Sequence, residues 1–354
     1  MRVAYSVLGR HPKPVTKTDN ASTINWLNAM QFAEFNNEQR RQLIDVQQAF
    51  SVWHPAAGEL AGLGQLKWKS SKGKRYLRLE RAGASKSLGR ETPALVKQKA
   101  DHDARRKQLR GRIDSKRKRL DAMAPVNRAL ALNRLPTIAA RISRELDKVG
   151  LLGKHVIVAG ANALFAYEAA SGVVLGSEFV STQDADLLWD TRQSLLLAAT
   201  GVQKEGLLGL LRRVDHSFKA DFGFNATNRH GYIVDLLCPE PAETTLMRTK
   251  GDLEATQMKG ALWLLDARKF EQVVIGGDGM PVRMIVPEPR TFALHKLWVS
   301  RQDSRQPLKR PRDAGHARMV GALAKTYLRL PFAAKDMPWL PVELRVLLKE
   351  FKEK

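Results

Sequence analysis

Asp184 and Asp186 flank a single alanine in the run Val180-Ser181-Thr182-Gln183-Asp184-Ala185-Asp186-Leu187-Leu188. The run reads as a strand, and strand side chains two positions apart point to the same face. The two carboxylates therefore stand side by side. Paired like charges contribute nothing to a fold. They raise each other's pKa unless a cation neutralises them, and a hard divalent ion such as Mg²⁺ suits such oxygen donors.

A third carboxylate repeats the signal. Asp235 interrupts an apolar run, Gly231-Tyr232-Ile233-Val234-Asp235-Leu236-Leu237, that reads as a buried strand. A buried unpaired carboxylate is expensive, so Asp235 is expected either to ligate a cation or to pair with a nearby arginine. Upstream, His155 to Gly160 reads as an apolar strand and Asn162 to Ala170 as an Ala-rich helix, with Gly160-Ala161 between them. Backbone N–H groups at such a helix start can accept a phosphate.

The charge balance points to a polyanionic partner. Fifty-nine Lys plus Arg against 36 Asp plus Glu leave a formal charge of +23, far more than solubility needs. Nucleic acid or a nucleotide is the first candidate, and a basic protein without such a partner is the alternative. Eleven of the positives fall between Lys97 and Arg119, against only Asp101, Asp103 and Asp114. With Leu95, Leu109, Ile113 and Leu120 as a thin apolar seam, residues 97–119 read as one exposed basic helix. Such a helix is either a contact surface for an RNA phosphate backbone or a solvated face. Gln65 to Glu80 alternates as a basic β-hairpin, whose Trp68 and Tyr76 either stack on bases or cover a core edge.

Other segments read as packing elements. Residues 20–55 form two short amphipathic helices, the second opened by Asn36-Asn37 and carrying Leu43, Val46 and Phe50. Ile138, Ile142, Leu146 and Val149 follow a helical period closed by Gly150, and Pro341 opens a final helix with Leu344, Leu347, Leu348 and Phe351 as its stripe. The single cysteine, Cys238, rules out an intramolecular disulfide framework and a thiolate-rich zinc site, and points to a cytoplasmic location. Met1 to Arg10 lacks the apolar content of a signal peptide. Lys154, His155 and Glu168 interrupt the best apolar stretch, so no membrane partner is expected. With no Walker loop, no zinc-ligand period around His216 and His230 and no nucleophile elbow, kinase, zinc-hydrolase and serine-hydrolase readings fall away.

A strand ending in glycine before a helix, then Asp-x-Asp on a second strand and a lone Asp on a third, resembles the nucleotidyltransferase fold of the DNA polymerase beta superfamily. The segments 158–168, 182–188 and 231–237 also resemble an uncharacterised bacterial group of stand-alone nucleotidyltransferases. The likeness extends to Lys86-Ser87-Leu88-Gly89 and to Phe292-Ala293-Leu294-His295-Lys296-Leu297, covering roughly residues 60 to 325. The fold expected is α+β: a helical and hairpin region over 1–125, a nucleotidyltransferase core with a small mixed sheet over 126–285, and a helical region over 286–354.

The resemblance implies metal-dependent transfer of a nucleoside monophosphate from a nucleoside triphosphate to an acceptor hydroxyl. It places Asp184, Asp186 and Asp235 as catalytic ligands of Mg²⁺ or Mn²⁺. It puts Gly160 where the superfamily's Gly-Gly or Gly-Ser pair approaches the triphosphate. Ala161 departs from that pair by lacking a hydroxyl, and Asn162 is the side chain available in its place. Lys296 is the first expected contact for triphosphate oxygens; Arg301, Arg305, Lys309, Arg310 and Arg312 are either further contacts or a solvated face. His295 is expected to be packed or on the surface. The charge favours RNA or tRNA as acceptor. The alternative is a non-catalytic nucleic-acid-binding or regulatory protein that keeps the fold, which Ala161 slightly favours.

Overall fold

The computed structural model describes residues 32–81, 84–180, 182–193, 206–221, 225–240 and 253–351. The first of the two helices expected over 20–55 lies mostly outside them. Strand β1 is Ala33–Glu34, and α1 follows as Asn37–Leu63. Its start is a capping box: Asn36 accepts from the Gln39 N–H at 2.8 Å, and Gln39 accepts from the Asn36 N–H at 2.9 Å. The helix buries Leu43, Val46 and Phe50, then runs through Pro55 until Gly64 ends it at φ 64°.

Strands β2 (Gln65–Ser71), β3 (Lys74–Arg81) and β4 (Ala84–Arg90) form an antiparallel sheet. Lys72 and Gly73 both take positive φ in the first turn, as a tight hairpin requires. The hairpin is the one the alternation indicates, and β4 extends it by a strand that the sequence pattern does not signal. The Arg75 guanidinium lies 5.0 Å from the Trp68 ring centroid.

Helix α2, Pro93–Ala129, is longer than the expected 97–119. Thr92 caps it and Pro93 supplies its first turn. Of its first 27 residues only Leu109 is buried. Three contacts tie it to α1 and its C-cap: Arg105 pairs with Glu59, Arg106 donates to the Gly64 carbonyl, and the His102 ring meets the Leu63 carbonyl at 3.2 Å.

Helix α3 (Thr137–Lys148) is followed by β5 (Val156–Val158), α4 (Leu164–Ser171), β6 (Val173–Val174) and the single-turn α5 (Ser177–Val180). Then come β7 (Asp184–Trp189), α6 (Gly206–Val214), β8 (Lys219–Asp221), β9 (Asn225–Thr227), β10 (Ile233–Pro239) and β11 (Thr256–Met258). The central sheet runs β5-β7-β10-β9-β8, with β11 beside the end of β10. It is mixed: β7 and β10 are parallel, while β5/β7, β10/β9 and β9/β8 are antiparallel.

Helix α7 (Ala261–Asp266) leads to the hairpin β12 (Phe270–Ile275) and β13 (Pro281–Val286), which packs on α4 with Tyr167 and Phe270 ring centroids 5.7 Å apart. Helices α8 (Pro289–Ser300) and α9 (Arg310–Thr326) pack together. The expected final helix is shorter than its stripe suggests: α10 (Val342–Arg345) passes at once into a 3-10 turn. Leu344, Leu347, Leu348 and Phe351 are all buried, and Gly321 of α9 leaves room for the Phe351 ring. Cys238 is buried, and no described helix is long and apolar enough to cross a membrane.

Candidate active site

Strands β7 and β10 carry the acidic face. Their register sets Asp186 opposite Asp235 and Asp184 opposite Ile233. Alternation then puts Asp184, Asp186 and Asp235 on one face, while Ala185, Leu187, Val234 and Leu236 are buried on the other. On the far side of Asp235 stands Asn225 of β9, its antiparallel partner. Thr182 donates its hydroxyl to the Asp184 carboxylate.

Gly160 seats this face. Its φ of 59° and ψ of −152° belong to a region essentially restricted to glycine. A Cβ there would overlap the Asp186 carboxylate, so the bare backbone is what lets Asp186 lie against the β5–α4 turn. The Ala159 N–H reinforces the join by donating to the Asp186 carbonyl at 2.8 Å. Ala161 and Asn162 form a buried 3-10 turn before α4. Asn162 Nδ2 donates to the Asp184 backbone carbonyl at 2.8 Å, and the Tyr232 hydroxyl donates to the same oxygen at 3.2 Å. Asn162 thus holds the start of β7, and its Oδ1 is a buried acceptor without a partner among the described residues.

The carboxylates feel one another. Burial, then the Asp184 charge, with Asp235 adding, push the Asp186 pKa up to about 6, while Lys296 and Lys309 offset part of the rise. Asp235 is raised by burial and by Asp184, and eased by a hydrogen bond from Asn225 and by Lys309.

A family model described as Nucleotidyltransferase matches residues 137–339, more than half of the 354-residue chain. The chain belongs to this nucleotidyltransferase family. Its fold is accordingly the α+β nucleotidyltransferase fold, and its chemistry is transfer of a nucleotide group. No curated protein and no solved structure matches it.

In this nucleotidyltransferase the cations near the acidic face come from α8 and the connection between α8 and α9. Lys296 Nζ and Arg305 Nε clasp the two oxygens of buried Asp313 at 2.8 Å and 2.6 Å. That clasp holds the Asp313 carboxyl below its usual range despite burial and anchors Lys296 where its charge still reaches Asp186. Lys309 reaches both Asp186 and Asp235. His295 is packed, as expected: its ring contacts Trp263 and Trp298, and burial holds its pKa down at about 4, so it is neutral.

Among the described residues no three His, Cys, Asp or Glu side chains converge as a preformed metal site. The donor chemistry nevertheless fits a hard divalent cation: three carboxylates on one face, two of them with pKa values raised by burial and mutual repulsion. Two neighbours of the site, Asn225 and Tyr232, carry no signal in the sequence. Asn225 sits in a three-residue strand whose partner identifies it only once the register is known, and Tyr232 reads as one more apolar position of a buried strand.

Proposed function

We propose that this nucleotidyltransferase moves a nucleoside monophosphate from a nucleoside triphosphate to an acceptor hydroxyl, with RNA or tRNA as the acceptor. A bond forms between the acceptor oxygen and the α-phosphorus as the bond to pyrophosphate breaks, with pyrophosphate and a proton leaving. The observation that carries this reading is the common face of Asp184, Asp186 and Asp235, fixed by the parallel register of β7 and β10. Those residues would hold Mg²⁺ or Mn²⁺, which when bound supplies positive charge to the attacking and leaving oxygens.

The chain's own residues do the rest. Gly160 and Asn162 fix the carboxylate strand, and Lys296 and Lys309 bring positive charge to Asp186. Ala161, buried and without a hydroxyl, favours a second reading: a nucleic-acid-binding protein that keeps the fold without turnover.

Purified protein is incubated with each nucleoside triphosphate labelled at the α-phosphate, Mg²⁺, and total RNA or total protein. Labelled RNA is the expected result. Labelled protein would reassign the acceptor, and no label with any triphosphate would favour the non-catalytic reading.

A further inference from the structure

A cleft of about 720 Å³ opens between α3, the end of α6 and the β9–β10 turn. Arg141, Arg212, Arg213 and Arg229 line it together with His216 and His230. The one acidic residue among its described lining, Asp215, accepts from the Ser217 N–H at 3.0 Å, the Ser217 hydroxyl at 2.7 Å and Asn228 Nδ2 at 3.2 Å, and its charge is outnumbered by the four arginines.

Arg141 and Arg212 are held without an ion pair among the described residues. Arg141 donates to the Val214 carbonyl, and Arg212 Nε donates to the Phe218 carbonyl at 3.1 Å. A backbone carbonyl orients a guanidinium while leaving its charge and its remaining N–H groups for a ligand. Arg229 Nε meets His230 Nε2 at 3.1 Å. Arg213 pairs with Glu145 at 3.3 Å, and the Asp215 charge acts on Arg229. The result is a concave, net-positive wall suited to bidentate contact with phosphate oxygens.

The cleft adjoins the start of β7 and does not include the carboxylates. Gln183 and Tyr232 line it. Gln183 immediately precedes Asp184, and its carbonyl accepts from the Ile233 N–H at 3.0 Å. Gln183 and Tyr232 stand at the entries to β7 and β10, and none of Asp184, Asp186 and Asp235 lines the cleft. A triphosphate held at the carboxylates would therefore not occupy the cleft, whereas a second substrate could reach from it around the start of β7. Tyr232 is nearly buried and its hydroxyl is spent on Asp184, so it presents no open ring for base stacking. The chemistry on offer is phosphate recognition without base reading.

We propose that this arginine cleft binds the phosphate backbone of the acceptor RNA strand next to its reacting end. The assignment rests on the reading of the chain as a nucleotidyltransferase acting on RNA.

The test uses the full chain and a fluorescent single-stranded oligoribonucleotide of mixed sequence, with anisotropy measured over a salt series. Arg212→Gln/Arg229→Gln should bind more weakly than wild type at every sequence. Its slope of log affinity against log salt should be shallower by about 0.7 for each phosphate that is no longer neutralised. Arg212→Lys/Arg229→Lys should recover most of the slope, and affinity for a magnesium–nucleotide analogue should be unchanged in both variants. If the glutamine pair does not fold by circular dichroism, Arg229→Gln alone, on an exposed side chain, gives the same reading.

An unchanged salt slope, or a loss confined to nucleotide affinity, would overturn the proposal. Asp184→Asn/Asp186→Asn separates the two levels, since it should lose transfer and keep the wild-type RNA slope. If wild type transfers nothing while the arginine variants still lose RNA affinity, the transfer reading falls and the cleft stands.

Discussion

Gly160 lies so close beneath the Asp186 carboxylate that no side chain fits between them. Glycine is held here by two requirements at once, the positive φ of the turn and the approach of the carboxylate.

Gly160→Ala should therefore cost stability and transfer together. Strain of this backbone class costs about 1–3 kcal/mol, and the displaced Asp186 would leave the acidic face. Adding Asp186→Ala removes the overlap but not the backbone strain, so thermal melts of the two single variants and the double variant should be non-additive. Strict additivity would mean that the two residues do not meet.

The raised pKa of Asp186 sets a pH dependence. Its folded value of about 6 lies above the ordinary 3.8, so the folded chain binds the proton more tightly than the unfolded chain does. That contribution is fully present below about pH 4, by the ordinary carboxylate value, and is lost as pH rises through about 6, by the raised one. Without divalent metal, melting temperature should fall over this window for wild type and stay flatter for Asp186→Asn. Mg²⁺ should raise the wild-type melt more at pH 7 than at pH 5, because it binds the deprotonated carboxylates. A wild-type melt indifferent to Mg²⁺ across the window would count against the site.

Asp235→Asn should separate rate from affinity. Asp184 and Asp186 share one strand with the Gly160 turn beside them, whereas Asp235 enters from β10 beside Asn225. We expect a large loss of transfer rate with magnesium–nucleotide affinity mostly kept, measured by calorimetry. Equal weakening of affinity by Asp235→Asn and Asp184→Asn would show that the carboxylates are not divided in this way.

The basic helix α2 contains two kinds of cation. Arg105 and Arg106 tie it to α1 through Glu59 and the Gly64 carbonyl, whereas Lys107, Arg110 and Lys118 are exposed. Arg106→Gln should lower the melting temperature. Lys107→Gln/Arg110→Gln/Lys118→Gln should leave it unchanged and weaken RNA binding, with the salt slope reduced by about 0.7 for every phosphate the three cations had neutralised. RNA binding indifferent to the triple change would make α2 a solvated helix.

Much of the site is legible in the sequence because its physics is local. Asp-Ala-Asp before two leucines can share one strand face in only one way, and Asp235 stands out because its neighbours are apolar. What stays hidden depends on register and on close approach. Nothing local marks Asn225 as the neighbour of Asp235, and nothing near Gly160 shows that it makes room for a side chain 26 residues on, at Asp186. Strand β4 escapes for a different reason: Ala84 to Ser87 are all exposed, so no apolar alternation betrays them. Helix α2 outruns its charged stretch because Ala124 and Asn127, where it reaches the β12–β13 turn, carry it onward, with Asn127 Nδ2 donating to the Gly279 carbonyl at 2.7 Å.

Release of pyrophosphate from a nucleoside triphosphate in the presence of Mg²⁺ and RNA, measured for wild type and Asp186→Asn beside their melting curves, tests the metal-holding role of the acidic face most directly. The expected result is a rate loss of about 10²-fold or more, the scale of losing a charge-stabilising group in an active site, with a melting temperature equal to or above that of wild type. Wild-type release by Asp186→Asn would contradict the assignment, as would a variant whose lost activity follows only from lost folding.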